Sequence, residues 1–143
     1  MKVEQISIFL ENKPGSLEHA TRVLHEANVN IRTLSLAETT DFGILRLIVN
    51  EVDKANKVLN ENGFRVNKTA VVAVEVPDRP GGLHSIMKVL VKENINIEYL
   101  YAFVEKSGEN AVIIFRFDDP EKAIEVLLAH KFTVVPGKKL YEF

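Results

Sequence analysis

The chain has 143 residues, and its 46% of hydrophobic and 27% of charged residues are typical of a globular protein with a packed core. A formal net charge of −2 at pH 7, without any run of lysine and arginine, excludes the basic surface expected of a nucleic-acid-binding protein. Cysteine is absent, which excludes disulfide bonds, thiolate catalysis and cysteine metal sites.

The first half of the chain predicts the order strand, helix, strand, strand, helix, strand. Polar Glu4 and Gln5 argue against a signal peptide, and no apolar run approaches the roughly 20 residues that span a bilayer, so we expect a cytoplasmic protein. Apolar residues alternate over 6–10, as in a strand, and recur at helical spacing over 17–27. Strands on either side of the turn 40–43 predict a hairpin, and a short helix over 53–62 precedes the last strand.

The second half of the chain repeats the first. Pro14-Gly15-x-Leu17 matches Pro80-Gly81-x-Leu83, and Asn28-x-Asn30-Ile31 matches Asn94-x-Asn96-Ile97 at the same offset, with nine identities in the 21 positions from 14 to 34. After a two-residue insertion near Ser107-Gly108, the match resumes at an offset of 68. The sequence therefore predicts two domains, 1–69 and 70–143.

The third predicted strand of each repeat is apolar almost throughout. Residues 44–49 read ILRLIV and residues 112–117 read VIIFRF, whereas a strand with one face in water alternates apolar and polar residues. We expect the sheet face away from the helices to be covered too, by the partner unit or by another chain. The alternative is that a few apolar residues are simply exposed.

Two motifs carry a resemblance to a known family. Residues 9–17 (FLENKPGSL) followed by 28–31 (NVNI) resemble the ACT-domain signature, and 76–83 (VPDRPGGL) with 94–97 (NINI) repeat it. The resemblance covers essentially the whole chain. It implies an α+β fold of two ferredoxin-like βαββαβ units, each with two helices on one face of an antiparallel sheet, joined side by side into an eight-stranded sheet.

The resemblance also implies a function and partners. ACT domains bind amino acids and regulate amino-acid metabolism, most often fused to an enzyme, and this chain resembles the stand-alone pair. We therefore expect an amino-acid effector, a separate enzyme of amino-acid metabolism or the protein's own assembly as the target, a homodimer, and no cofactor, nucleic acid or membrane. The alternatives are an association module without a ligand and a small enzyme with an unrecognised site.

The Pro-Gly loops are the candidate ligand sites. Unpaired N–H groups in the first turn of a helix attract a carboxylate, and Asn12 with Asn30, or Asp78 with Asn96, could accept hydrogen bonds from an ammonium. Alternatively, Gly15 and Gly81 serve only the turn, and Asn30 and Asn96 only cap the preceding helix or close a turn. Asn28 and Asn94 are expected to end helices rather than to contact a ligand. The candidate residues are Leu10, Asn12, Pro14, Gly15, Ser16, Leu17, Asn30 and Ile31 in the first unit, and Val76, Asp78, Pro80, Gly81, Gly82, Leu83, Asn96 and Ile97 in the second.

Three further expectations concern selectivity and differences between the repeats. Leu10 and Val76 stand where some serine-binding members have a polar residue, which argues against a serine effector. Gly82 replaces Ser16 and is expected to open the second loop, and the insertion at 106–110 is expected to shape an edge of the assembly rather than a pocket. The four histidines lack the spacing of metal ligands, and no catalytic motif is present, so we expect no enzymatic activity.

Overall fold

A computed structural model describes residues 1–142 as an α+β protein. Its elements in chain order are β1 (Val3–Glu11), α1 (Ser16–Glu26), β2 (Ile31–Glu38), β3 (Phe42–Val49), α2 (Val52–Glu61), β4 (Arg65–Pro77), α3 (Gly82–Lys92), β5 (Ile97–Ala102), β6 (Asn110–Phe117), α4 (Pro120–Ala129), β7 (Val134–Val135) and α5 (Gly137–Glu142). They form two compact units, here called the N-terminal unit (residues 4–69) and the C-terminal unit (residues 70–142 with 1–3). None of the helices in this part of the chain is long and apolar enough to cross a membrane.

The N-terminal unit buries one face of its strands against α1 and α2. Strand β3 lies between β1 and β2 and is antiparallel to both, so that Leu45 is opposite Ile8 on one side and Leu36 on the other. Alternate residues of β1 and β3 point towards the helices, where they form a single apolar core with Leu24 of α1 and Leu59 of α2. The expected period-2 pattern of the strands thus produces the core.

The directions of these strands decide which residues can meet. Because β1 and β2 are both antiparallel to β3, they run parallel to each other. At one end of the unit, Glu11 at the end of β1 is opposite Phe42. At the other end, Ile31 at the start of β2 is opposite Val49, seven residues further along β3. At about 3.4 Å per residue, this separation is more than 20 Å.

The C-terminal unit has the corresponding arrangement. Strand β6 lies between β4 and β5, and β7 pairs with the other side of β4, so that Val74 is opposite both Ile113 and Val134. Phe115 and Phe117 are fully buried in its core, with ring centroids 5.2 Å apart. Leu90 of α3 and Leu127 of α4 pack in the same cluster.

The strand count differs from the expected eight. The described residues contain seven strands, because β4 continues for 13 residues through the point where the repeats join. Residues 66–71 read VNKTAV, with no glycine or proline to end a strand, and the last strand of the first repeat therefore becomes the first strand of the second.

The C-terminal segment was not anticipated from the sequence. Strand β7 has only two residues, and after Pro136 the chain forms the short helix α5, in which Leu140 is fully buried. Val71, Ala73 and Ile114, which alternate with the core residues facing α3 and α4, are also fully buried. In this unit, the expectation that both faces of the apolar strands are covered is therefore met at these positions.

Corresponding left-handed residues end the four long helices. Asn28 and Asn94, at φ 58° and 54°, follow α1 and α3, as expected of helix-terminating asparagines. Gly63 follows α2 at φ 84°, whereas Lys131 occupies the equivalent position after α4 at φ 63°. A side chain with a Cβ is strained in this region of φ, so Lys131 adopts a conformation that glycine adopts at lower cost.

We predict that Lys131→Gly stabilises the protein by about 0.5–1 kcal/mol, because the relief of left-handed strain exceeds the added entropy of the unfolded chain. The expected rise in Tm is about 2 °C. Lys138→Gly, within α5, is the control and should lower Tm. An unchanged or lower Tm for Lys131→Gly would show that the strain at this position is not significant.

Candidate functional site

Each Pro-Gly loop turns the chain from a strand into a helix through one left-handed glycine. Gly15 has φ 92° and Gly81 has φ 86°, a region that glycine enters without steric cost. Both glycines are N-cap residues, and neither α1 nor α3 receives a side-chain cap in the part of the chain described. The N–H groups of Ser16 and Gly82 already donate to the carbonyl oxygens of Lys13 at 3.4 Å and Arg79 at 3.0 Å. The N–H groups that follow them in the first turn usually bond to a capping oxygen, and here they can meet an external anion.

Asn12 fastens the first loop to the hairpin between β2 and β3. Its backbone N–H donates to the carbonyl oxygen of Asp41 at 2.9 Å. Its side-chain Nδ2 donates to the carbonyl oxygens of Thr40 at 3.2 Å and Thr39 at 3.4 Å. With its amide nitrogen directed at the hairpin, Asn12 is left with its Oδ1 atom as an acceptor for a ligand.

Two cavities flank this loop. The smaller, of about 80 Å³, lies on the β2 side and is lined by Leu10, Glu11, Asn12, Lys13, Ser16, Leu17, Leu36, Glu38 and Gly43. The larger, of about 460 Å³, lies towards the end of α2 and includes Lys13, His19, Arg22 and Phe64. Since one water occupies about 30 Å³ of liquid, the smaller cavity alone is too small to enclose an amino acid.

The structure does not bring Asn30 and Ile31 to the loop. They lie at the start of β2, at the opposite end of the N-terminal unit, and Asn96 and Ile97 lie correspondingly in the C-terminal unit. The expectation that Asn12 and Asn30 converge within one unit is therefore wrong, because β1 and β2 run in the same direction.

Asn30 and Asn96 instead form hydrogen bonds with the residue that directly follows the middle strand of their unit, β3 or β6. The N–H of Asn30 donates to Oδ1 of Asn50 at 2.9 Å, and the N–H of Asn50 returns a bond to the carbonyl oxygen of Asn30 at 3.1 Å. Asn96 and Asp118 form the same pair of bonds, both at 3.1 Å. Asn50 and Asp118 were missed in the sequence, although they occupy equivalent positions in the repeats.

The second Pro-Gly loop is attached to the hairpin between β5 and β6 by an ion pair, whereas the first loop is attached by the side-chain amide of Asn12. Nζ of Lys106 donates to Oδ2 of Asp78 in an ion pair. The insertion that carries Lys106 is itself held by Glu75, whose carboxylate accepts from Oγ of Ser107 at 2.5 Å and from Nδ2 of Asn110 at 3.2 Å. The insertion therefore lines a pocket, contrary to expectation, and it forms one wall of a cavity of about 430 Å³ beside Asp78 and Arg79.

A further cavity, of about 440 Å³, lies on the other side of Asp78. It is lined by Val76, Pro77, Asp78, Arg79, Pro80, Leu83, Ala111 and Ile113. Several of these positions correspond to those around the 80 Å³ cavity of the N-terminal unit, such as Leu10, Asn12, Leu17 and Gly43. The predicted loop residues are thus brought together in both units, but the cavity at this corresponding position is about fivefold larger in the C-terminal unit.

One ion pair away from the loops shifts the pKa values of both its partners. The hydrogen bond from Lys68 to Asp53, at 2.7 Å, lowers the pKa of the Asp53 carboxyl and raises that of the Lys68 ammonium. The contribution of Asp53 to stability is present above its unfolded pKa and is lost as pH falls through its folded pKa. That of Lys68 is present below its unfolded pKa and is lost as pH rises through its folded pKa. Among residues 1–142, no cluster of three or more His, Asp or Glu side chains could hold a metal ion.

Gly82 closes the second loop rather than opening it. A Cβ built on Gly82 would lie 1.9 Å from the carbonyl oxygen of Pro77, which is backbone and cannot rotate away. Ser16, at the equivalent position, carries a side chain and is half-buried. The expectation of a more open loop is wrong, because the missing side chain allows close packing between the start of α3 and the end of β4.

We predict that Gly82→Ala destabilises the protein by about 1–3 kcal/mol, as overpacking against rigid backbone does. The matched control is Ser16→Ala, which should change the free energy of unfolding by less than about 0.5 kcal/mol. Urea denaturation measures both. Equal effects of the two substitutions would contradict the close approach at Pro77.

Comparisons with known proteins agree with this architecture. No match is found among curated proteins. The chain is similar to the solved structure of protein BT0572 from Bacteroides thetaiotaomicron, with 42% identity, a TM-score of 0.93 and coverage of 100% of this chain and 98% of that chain.

Two more distant structures share the fold. The ligand-free regulatory subunit of aspartate kinase from Thermus thermophilus has 16% identity, a TM-score of 0.62 and coverage of 88% of this chain and 91% of that chain. The regulatory subunit from Thermus flavus has 14% identity, a TM-score of 0.56 and coverage of 88% and 90%. A family model described as an ACT domain pair matches residues 1–143, and the chain therefore belongs to the ACT domain pair family.

Proposed function

We propose that this protein is a non-enzymatic regulator that binds an amino acid at the Pro-Gly loop of its N-terminal unit. The observation that carries the proposal is the uncapped helix start behind a left-handed glycine, which occurs at corresponding positions of both units. Such a helix end attracts the carboxylate of a ligand through its N–H groups and its dipole. The aspartate kinase subunits of the same fold are named as regulatory, which is consistent with this role.

The binding site of the N-terminal unit is proposed to need a second copy of the chain. Its cavity of about 80 Å³ opens beside β2, which pairs only with β3 among the described strands. Leu17, Leu34 and Leu36 are exposed around it, at 39%, 44% and 50%. An apolar patch beside an unpaired strand edge is typical of a surface that associates with another chain.

Pairing between copies also accounts for the position of Asn30. If the β2 strands of two copies pair antiparallel, the start of one β2 lies opposite the end of the other. Asn30 of one copy then lies beside the Asn12 loop of its partner, although the two residues are far apart within one unit. We propose that the side-by-side joining of sheets implied by the resemblance occurs in this way, between the two chains of a homodimer.

The proposed ligand is an amino acid with a branched or aromatic side chain. Leu10 and Leu36 line the cavity beside the loop, and Leu34 is exposed on the same strand. These leucines offer apolar contacts that a branched or aromatic side chain can use and a short polar side chain such as that of serine cannot.

The second candidate function is an association module without a ligand. The exposed leucines favour it as much as they favour the ligand-binding dimer, so oligomeric state alone does not separate the two. Ligand binding separates the two functions, because only the regulator binds an amino acid.

The target of regulation is proposed to be a separate enzyme of amino-acid metabolism or the assembly of the protein itself.

We predict that one or more branched or aromatic amino acids raise the Tm in a screen of all twenty. A ligand at 100 times its Kd adds about 2.7 kcal/mol to the free energy of unfolding. Asn12→Ala should weaken the best ligand at least fivefold, whereas Asn60→Ala, an exposed asparagine of α2, should leave its Kd unchanged. The proposal is wrong if no amino acid at millimolar concentration shifts the wild-type Tm.

We predict that Leu36→Lys dissociates the homodimer, because it places a charge in the apolar patch beside β2. Sedimentation velocity measures the change, and the amino-acid affinity should fall with it. The control is Leu128→Lys, at a leucine of α4 that is 46% exposed and should not affect assembly. A wild-type protein that sediments as a monomer in the presence of ligand would exclude the proposed dimer.

A further inference from the structure

The residue two positions before Pro-Gly is fastened to the next hairpin in both units, but with opposite hydrogen-bonding roles. Asn12 is a donor, and its partners are the carbonyl oxygens of Thr39 and Thr40. Asp78 is an acceptor, and its partner is the ammonium of Lys106. The carboxylate that could have bound the ammonium of a ligand is therefore already paired with an ammonium of the protein.

The position of Lys106 is fixed by the rest of the insertion. The backbones of Ser107 and Asn110 exchange two hydrogen bonds, at 2.9 and 3.0 Å, and so close a tight turn. The side chains of the same two residues donate to the two carboxylate oxygens of Glu75 on β4. Lys106 is thus attached to a turn that β4 holds beside the loop, and its pairing with Asp78 costs less side-chain and loop entropy than pairing from a free segment.

The charges beside the adjacent cavity consequently favour an anion. Asp78 and Arg79 both line the cavity of about 440 Å³, and Lys106 neutralises Asp78, which leaves the positive charge of Arg79 in excess. The uncapped start of α3 adds the positive end of a helix dipole on the Leu83 side. An ammonium entering this cavity would meet a carboxylate that is already paired and the guanidinium of Arg79, whereas a carboxylate would be attracted.

The remaining walls of this cavity are apolar. Val76, Leu83, Ala111 and Ile113 face it together with two prolines. Its volume lies within the range of about 300–1,000 Å³ that is usual for small-molecule sites, unlike that of the cavity beside Asn12. The combination of apolar walls with a positive end fits a small carboxylic acid with a hydrocarbon chain.

We propose that the cavity of about 440 Å³ in the C-terminal unit binds an apolar carboxylate that lacks an ammonium group, because Lys106, from the other side of Asp78, already forms the ion pair that a ligand ammonium would form with this carboxylate. The two units would then respond to different chemistry, an amino acid in the first and a deaminated acid of similar shape in the second. This inference rests on the proposed function for its reading of the loop as a ligand site. Lys106 is the residue that determines the specificity of the second site.

The test compares leucine with 4-methylpentanoate, which has the same branched hydrocarbon end and no ammonium group. Methyl NMR on the full-length protein reports the unit in which each probe binds, through Val76, Leu83 and Ile113 in the second cavity and through Leu10 and Leu17 in the first. We expect 4-methylpentanoate to shift the methyl signals of the second cavity and leucine not to shift them.

Lys106→Met should reverse this preference, because it leaves Asp78 unpaired. The ratio of the Kd values of the two probes at the second cavity should change in favour of leucine by about tenfold, which is equivalent to about 1.4 kcal/mol. Lys106→Arg should retain the wild-type preference, and Lys138→Met controls for the general loss of a lysine. Retained methyl signals from Leu90 and Leu127, in the core of the same unit, show that each variant is folded.

The outcomes separate this inference from the proposed function. If leucine shifts the first-cavity signals and 4-methylpentanoate leaves the second cavity unchanged, the inference fails while the proposed function stands. If only 4-methylpentanoate binds, and at the second cavity, the inference stands while amino-acid binding fails. An unchanged preference in Lys106→Met overturns the role given to Lys106.

Discussion

A single left-handed glycine in each unit, Gly15 or Gly81, allows the chain to leave a strand and begin a helix within a few residues. Since the residue at the cap position has no side chain, no hydroxyl or carboxyl group of its own can satisfy the first-turn N–H groups. The same conformation that builds the fold thus leaves a positive helix end at the surface, beside the end of a strand. The packing of each helix, α1 or α3, against the strands of its own unit depends on this turn, and so does the proposed ligand chemistry.

The directions of the strands are the reason why we propose that ligand binding is coupled to dimer formation. One unit supplies the loop and the helix end, but it places Asn30 more than about 20 Å away, as the number of residues along β3 requires. A site completed by Asn30 of a second copy would bind ligand more tightly in the dimer than in the monomer. By linkage, the ligand would then strengthen the dimer by the same factor.

Short-range features of the fold were predictable from the sequence, and long-range features were not. The repeated motifs and the helix-ending role of Asn28 depend on neighbouring residues, and the structure agrees with them. The contact of Lys106 with Asp78 and the distance between Asn12 and Asn30 depend on which segments meet in space. Asn30 lies far from the loop of its own unit because β1 and β2 run in the same direction, which a shared motif does not reveal.

The most direct test of the central claim follows the backbone amides of the first helical turn during a titration with leucine and with phenylalanine. If the carboxylate of the amino acid binds the start of α1, the ¹⁵N–¹H signals of Leu17 and Glu18 should show the largest shifts in the N-terminal unit. Signals at the other end of the helix, near His25, should move little. Saturable binding whose largest shifts fall away from the first turn of α1 would contradict the account.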